Sequence, residues 1–205
     1  MIPHNLENKS LHERFAHLLK TISSPRFLSL QGIGNELPFF ICPFPPGEKL
    51  EMDSAVENLY AKLQQSGVSV ERINLYDLCI ALLKDRPRVW PLLMEKEPEI
   101  LKEDLFDQLQ KMLDSEDHLA PAIMRQLEGK EYDVVFIEGV GEVFPYVRTH
   151  SLLENLEQYL SRKPLVLFFP GTYVQTLHTG ASLELFGRCH DDKYYRAFNI
   201  YRYEP

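Results

Sequence analysis

The stretch YDVVFI, residues 132–137, decides the fold class of this 205-residue chain. It is apolar apart from Asp133, which is typical of a strand buried on both faces. The stretch LVLFF, residues 165–169, has the same character, and Pro170 with Gly171 predicts its end. Strands of this kind need helices above and below the sheet, so the two stretches predict an α/β protein with a parallel sheet.

Three weaker patterns extend this sheet. Residues 37–42 are a short apolar run, which predicts the first strand. Val68, Val70 and Ile73 alternate with polar residues and predict the second. Residues 198–203 predict a last strand, so the sheet has about five.

Helices are predicted between the strands. Ser10 and Glu13 have the spacing of a capping box, in which each side chain satisfies a backbone N–H at a helix start, and residues 11–22 follow with apolar side chains on one face. Ser54 and Glu57 have the same spacing and predict the start of another helix. Further helices are predicted at residues 76–83 and 149–160.

Residues 84–129 are charged and too long for a single crossover, so we predict a helical insertion there. One helix is expected to begin near Pro98, with Trp90 in the loop before it. Ser115 is expected to cap a second helix. Together the elements predict one three-layer, doubly wound α/β domain over residues 1–205.

Composition indicates which kinds of partner the protein could bind and in which cellular compartment it is expected. The chain has 22 Lys and Arg against 30 Asp and Glu, a net charge of −8, which argues against direct binding to nucleic acid. The three cysteines, Cys42, Cys79 and Cys189, are far apart in sequence, as expected for reduced thiols in the cytoplasm. With neither a signal-peptide pattern nor a long apolar stretch, we expect a cytoplasmic protein with no membrane span.

Two loops invite a nucleotide-binding interpretation and do not meet its requirements. GIGNE, residues 32–36, lacks the third glycine of the dinucleotide motif and precedes a strand, so we predict an ordinary turn. The loop PFPPGEK, residues 43–49, follows the first strand, where a P-loop would bind phosphate. It has no GxxxxGK[ST] motif, and its prolines have no N–H to donate. No bound cofactor is therefore expected.

Polar residues near two strand ends form a second candidate site. Glu138 and Glu142 follow the strand at 132–137 in the sequence EGVGE, and a cluster of polar residues precedes the last strand. Carboxylates at the carboxyl end of a parallel sheet can bind magnesium, whereas a turn and a salt-bridged loop are the simpler interpretation. The residues of this alternative site are Glu138, Glu142, Arg188, His190, Asp191 and Asp192.

Five stretches resemble the BrxB family of BREX bacteriophage-defence systems. They are FLSLQGIGNELPFFICPFPPG (27–47), RINLYDLC (72–79), YDVVFIEGVGEVFPYVRTH (132–150), PLVLFFPGTY (164–173) and GASLELFGRCHDDKYYRAFNIY (180–201). The resemblance implies a cytoplasmic protein encoded beside a PglZ-type phosphatase-superfamily protein, a BrxC-type ATPase and a PglX-type adenine methyltransferase. It supplies no catalytic residues. The element order also resembles a P-loop NTPase core without Walker motifs, an analogy of fold that assigns no function.

The resemblance and the missing motifs together predict a non-catalytic adaptor that supports defence and host DNA methylation. The PglZ-type protein is the first candidate partner, followed by the BrxC-type ATPase and the PglX-type methyltransferase. Aromatic and proline-rich loops are the candidate surfaces, although their side chains could equally pack over the sheet ends. These residues are Phe44, Pro45, Pro46, Phe144, Tyr146, Tyr194 and Tyr195. The alternative function is a degenerate nucleotide-binding protein or a magnesium-dependent phosphoester hydrolase that uses the polar residues above.

Overall fold

Five parallel strands form the centre of the protein. The computed structural model describes residues 6–31, 37–160, 162–176, 180–191 and 197–205. In chain order the strands are β1 (Phe39–Phe44), β2 (Val70–Asn74), β3 (Val134–Glu138), β4 (Leu165–Thr176), β5 (Gly180–Leu185), β6 (Cys189–Asp191) and β7 (Phe198–Asn199). The central order is β2-β3-β4-β1-β7, and every neighbouring pair in it is parallel. The prediction of an α/β protein with a mainly parallel sheet is confirmed.

Helices cover both faces of this sheet. They are α1 (Leu11–Ile22), α2 (Pro25–Leu28), α3 (Lys49–Gln65), α4 (Leu75–Lys84), α5 (Val89–Lys96), α6 (Lys102–Met112), α7 (Ala120–Leu127) and α8 (Thr149–Leu156). Helices α1 and α3 pack on the face that carries Phe40, Phe136 and Phe168. Helices α4, α7 and α8 pack on the opposite face, which carries Ile41 and Val135. Strands β1, β3 and the first half of β4 are therefore buried from both sides, as their apolar runs predict. Within the described ranges no helix is long and apolar enough to cross a membrane.

The predicted end of β4 is wrong. Pro170 and Gly171 lie inside the strand, whose second half pairs with β5 in an antiparallel arrangement. The Pro170 carbonyl accepts a hydrogen bond of 2.9 Å from the Phe186 N–H. A Cβ on Gly171 would lie 2.0 Å from the Glu184 carbonyl oxygen, so glycine permits the close approach of β5. Strand β6 extends this hairpin across residues that were predicted to form a loop.

The helix starts were predicted with mixed success. The capping box of Ser10 and Glu13 is present at the start of α1. The one predicted at Ser54 is wrong, because α3 already begins at Lys49. Ser54 lies within α3 and donates its hydroxyl hydrogen to the Leu50 carbonyl at 3.1 Å. Strand β1 also ends later than predicted, at Phe44.

The helical insertion contains three α-helices in place of the predicted two. Pro98 lies in a 3₁₀ turn, Glu97–Glu99, and α6 begins only at Lys102. Trp90 lies in α5 and not in a loop. Asp114, one residue before the predicted cap, accepts hydrogen bonds from two backbone N–H groups and starts a π-helical turn, Ser115–Leu119, that leads into α7. At the end of the chain, β7 has two residues and is followed by a 3₁₀ turn, Ile200–Arg202, in place of the predicted longer strand.

Candidate functional site

Two groups of ion pairs lie near the carboxyl ends of β1, β2 and β3. The chain leaves β1 toward α3 on one face, whereas it leaves β2 and β3 toward α4 and α8 on the other. In doubly wound sheets such a divergence opens the crevice in which ligands bind. Gly139 makes the turn after β3 with φ of +78°, and a Cβ there would lie 2.6 Å from the Asn74 side-chain oxygen. Only glycine fits, because that oxygen caps α4 by accepting from two N–H groups.

Arg72 of β2 binds the carboxylate of Glu138. Its Nε lies 2.7 Å from Oε1 and its Nη2 lies 2.8 Å from Oε2, a bidentate arrangement. The remaining nitrogen, Nη1, lies 2.7 Å from Glu57 of α3. The Tyr60 ring faces the guanidinium at 5.2 Å. Glu138, followed by Glu57, raises the pKa of Arg72 against the opposing effect of burial. Both oxygens of Glu138 are thus already engaged.

Lys49, the first residue of α3, holds the second candidate carboxylate. Its Nζ lies 2.8 Å from Glu142 and 2.6 Å from Asp53. Partial burial lowers the pKa of Lys49, but the two carboxylates raise it by more. Glu138 and Glu142 therefore each face a cation of this chain. Among the residues that the structure describes, no three His, Cys, Asp or Glu side chains could together hold a metal ion.

The other members of the predicted polar site lie in the β5–β6 hairpin or beyond it. Arg188 is exposed in the turn, where its N–H donates to the Leu185 carbonyl at 3.1 Å. His190 and Asp191 belong to β6, and only their backbone is described. Asp192 lies outside the described residues, as does the GIGNE loop at residues 32–36. The magnesium site therefore stays a prediction.

The proline-rich loop after β1 is shorter than predicted, because Pro43 and Phe44 are buried residues of the strand. Phe44 is the last residue of β1 and is 3% exposed, so it does not belong to the exposed surface predicted for it. Pro45 and Pro46 are exposed and lead through a 3₁₀ turn into α3. Glu48, at the N-cap of α3, makes no side-chain hydrogen bond to the first turn of that helix.

The aromatic residues after β3 lie between the insertion and the β5–β6 turn. Phe144 and Tyr146 are half-buried against the core. The Tyr146 ring lies 5.8 Å from Phe106 of α6, and the Phe144 ring lies 6.4 Å from Phe186. These side chains pack over the sheet end while leaving part of their surface accessible. Tyr194 and Tyr195 lie outside the described residues.

A buried arginine is the feature that sequence reasoning missed. Arg14 of α1 is 1% exposed, and its Nη2 donates to the carboxylate of Glu48. Nε and Nη1 are buried and make no hydrogen bond. The Tyr201 hydroxyl is near the guanidinium and lies 3.3 Å from Cys42 Sγ. Complete burial raises the pKa of the Cys42 thiol to about 12. The spacing offered a clue, because position 14 falls four residues before Leu18 on the apolar face of α1.

The fold defines a doubly wound α/β protein in which Glu138 and Glu142, at the carboxyl edge of the sheet, pair with Arg72 and Lys49. Residues 71–200 match the family model of the BREX protein BrxB. The chain belongs to the BrxB family, as the five stretches of sequence predicted.

Two relatives extend the match over nearly the whole chain. A BREX protein BrxB of Bacillus cereus (strain H3081.97) is 29% identical over 196 residues, which cover 94% of this chain and 98% of that protein. A BREX protein BrxB of Escherichia coli O9:H4 (strain HS) is 27% identical over 190 residues, which cover 93% and 91%. No solved structure matches this chain.

Proposed function

We propose that this chain is a non-catalytic adaptor in a BREX bacteriophage-defence complex and that it binds a PglZ-type protein. The observation that carries the proposal is the pairing of charges at the carboxyl edge of the sheet. Arg72 occupies both oxygens of Glu138, and Lys49 lies between Glu142 and Asp53. Groups that could bind a nucleotide phosphate or magnesium at this edge instead bind one another. Breaking such a pair for a ligand would leave a partly buried charge without its partner, which is costly.

The loop before α3 supports the same proposal. A phosphate cradle is built from several backbone N–H groups that converge at a helix start. Pro43, Pro45 and Pro46 have no N–H, and the nearby Glu48 adds a negative charge. If the core is related to P-loop proteins, as the position of β1 before α3 suggests, the part that binds phosphate has been replaced by a stiff proline turn. Fold analogy alone would not assign a function.

Co-purification with the other components of the system tests the adaptor role. We expect tagged protein to elute from size exclusion in a complex with the PglZ-type protein, with the BrxC-type ATPase and the PglX-type methyltransferase tested in the same way. A stable interface of ordinary size gives micromolar affinity or better. If the chain elutes alone when each component in turn is present at about 10 μM, roughly ten times a micromolar Kd, the proposal is wrong.

Calorimetry with ATP and Mg²⁺ separates the adaptor from the alternative, a degenerate nucleotide-binding protein or a phosphoester hydrolase. We expect no saturable heat up to about 1 mM ligand, because the candidate carboxylates are already paired. Glu138→Ala and the exposed control Glu128→Ala should give the same flat trace. Micromolar binding by the wild type that Glu138→Ala abolishes and Glu128→Ala retains would favour the alternative.

A further inference from the structure

Exposed large apolar side chains are concentrated in α5 and the turn before α6. Of the large apolar side chains that are well exposed, four fall within thirteen residues: Val89 at 37%, Leu92 at 57%, Met94 at 48% and Leu101 at 69%. Only Leu93 of α5 is buried, and α6 has no buried residue. A monomeric protein rarely leaves such a group of apolar side chains in water without a binding role.

The segment from α5 to α6 is nonetheless held in a defined position. The Arg86 Nη2 donates to the Met112 carbonyl at 2.9 Å, and the Lys84 ammonium lies 5.7 Å from the Trp90 ring. Phe106 contacts Tyr146 of the loop after β3. Leu101, Leu105, Leu109 and Met112 follow helical spacing and form one apolar stripe along α6, exposed at Leu101 and half-buried beyond it. The exposed residues thus belong to an ordered, under-covered helical surface.

The stretch of chain that contains this surface is rich in acidic residues. Residues 95–117 contain three lysines and nine acidic residues, 3 − 9 = −6, out of a net charge of −8 for the chain. All nine carboxylates belong to exposed residues. Glu97 and Glu99 lie between Met94 and Leu101, and Lys96 is 3.3 Å from Glu99 but makes no ion pair with Glu97. Carboxylates therefore interleave with the exposed apolar side chains.

We infer that the surface formed by Val89, Leu92, Met94, Glu97, Glu99 and Leu101, hereafter the α5–α6 surface, binds a basic amphipathic helix of a partner protein. Apolar side chains of the helix would cover Leu92 and Leu101 while its Lys and Arg pair with the carboxylates around them. The charge argues against the other occupants. A second copy would place Glu97 and Glu99 against the same two carboxylates, and these charges also repel nucleic acid and the anionic membrane surface. This inference rests on the proposed adaptor function and names the surface through which the adaptor would bind its partner.

Two pairs of variants test the inference on the full-length chain, with the PglZ-type protein as the probe. Leu92→Glu with Leu101→Glu removes the apolar anchors. Leu50→Glu with Val174→Glu, at side chains 79% and 38% exposed outside this surface, adds the same two charges and is the matched control. Glu97→Lys with Glu99→Lys reverses the charge, and Glu51→Lys with Glu131→Lys makes the same change in net charge at exposed positions elsewhere. We expect each α5–α6 variant to weaken Kd by about tenfold or more and each control by less than about twofold. The Tm should change by less than about 2 °C throughout, as for exposed substitutions.

The outcomes separate this inference from the adaptor proposal. If the wild type forms no complex, both fail. If the complex forms and the α5–α6 variants bind as well as their controls, the surface is wrong and the adaptor proposal stands. If the leucine variants lose binding while Glu97→Lys with Glu99→Lys retains it, the partner is not basic and the inference fails. A wild-type dimer that Leu92→Glu with Leu101→Glu converts to a monomer would also overturn it, since the occupant would then be a second copy.

Discussion

Val135→Asp is expected to leave the protein unfolded at 25 °C. Val135 is 1% exposed in β3, between β2 and β4, opposite Glu71 on one side and Leu165 on the other. Its side chain lies in the apolar layer beneath α4, α7 and α8. A carboxylate there would be buried without a partner, which costs several kcal/mol. That is comparable with the whole free energy of unfolding of a domain, about 5–15 kcal/mol.

Val174→Asp is the matched control for this prediction. It makes the same change in β4, beyond the parallel sheet, at a side chain that is 38% exposed. We expect it to lower the free energy of unfolding by about 1 kcal/mol or less. Far-UV circular dichroism and urea denaturation at pH 7 distinguish the two. A Val135→Asp protein with the wild-type urea midpoint would contradict the two-sided burial of β3.

The apolar runs predicted the central strands because a run of this kind indicates a buried strand whatever the distant residues are. A continuous apolar strand fits only where both faces are covered, so β3 and the first half of β4 follow from local pattern. The second half of β4 could not be predicted in this way. Pro170 and Gly171 are a strong local turn pattern, and only the antiparallel pairing with β5, formed later in the chain, carries the strand through them.

The start of α3 shows how a correct motif can be placed wrongly. Ser54 and Glu57 match the capping-box spacing, but a spacing does not state that a helix begins there. The 3₁₀ turn Pro46–Glu48 leads directly into the helix at Lys49, more than one turn before Ser54, and leaves Ser54 inside the helix. The local sequence is compatible with a helix start at either Lys49 or Ser54. The 3₁₀ turn after β1 places the start at Lys49.

The candidate site could be predicted by residue type but not by partner. The position of Glu138 at the end of a buried strand placed it correctly at the carboxyl edge. Its partner Arg72 lies 66 residues away, and the register of β2 against β3, which aligns Asn74 with Glu138, brings the two together. Register is a property of the assembled sheet, so the sequence left both a metal ligand and a simple turn open and did not identify Arg72 as the partner of Glu138.

Glu48→Leu is expected to lower the free energy of unfolding by about 3 kcal/mol, although Glu48 itself is 41% exposed. The cost arises at Arg14, which is almost fully buried and would lose the one carboxylate that its guanidinium binds. Its Nε and Nη1 already lack hydrogen-bond partners. In a chain of this length the corresponding drop in Tm is about 6–12 °C. Lys49 and Asp53 provide the matched control, because Asp53→Asn leaves Lys49 paired with Glu142 and should cost less than about 1 kcal/mol.

A double-mutant cycle shows whether the buried charge is the cause. Arg14→Met keeps most of the side-chain volume, removes the two unpaired donors and leaves Glu48 in contact with water, so it should cost much less than Glu48→Leu. In the double variant no charge is left unpaired, and we expect it to recover most of the loss, with a coupling energy of about 2 kcal/mol by urea denaturation. Additive losses would mean that Glu48 stabilises the start of α3 independently of Arg14. Recovery would show that the buried charge of Arg14 is tolerated between α1 and α3 only because Glu48, in the turn after β1, is its counter-ion. The proline-rich loop would then contribute to the stability of this helical layer.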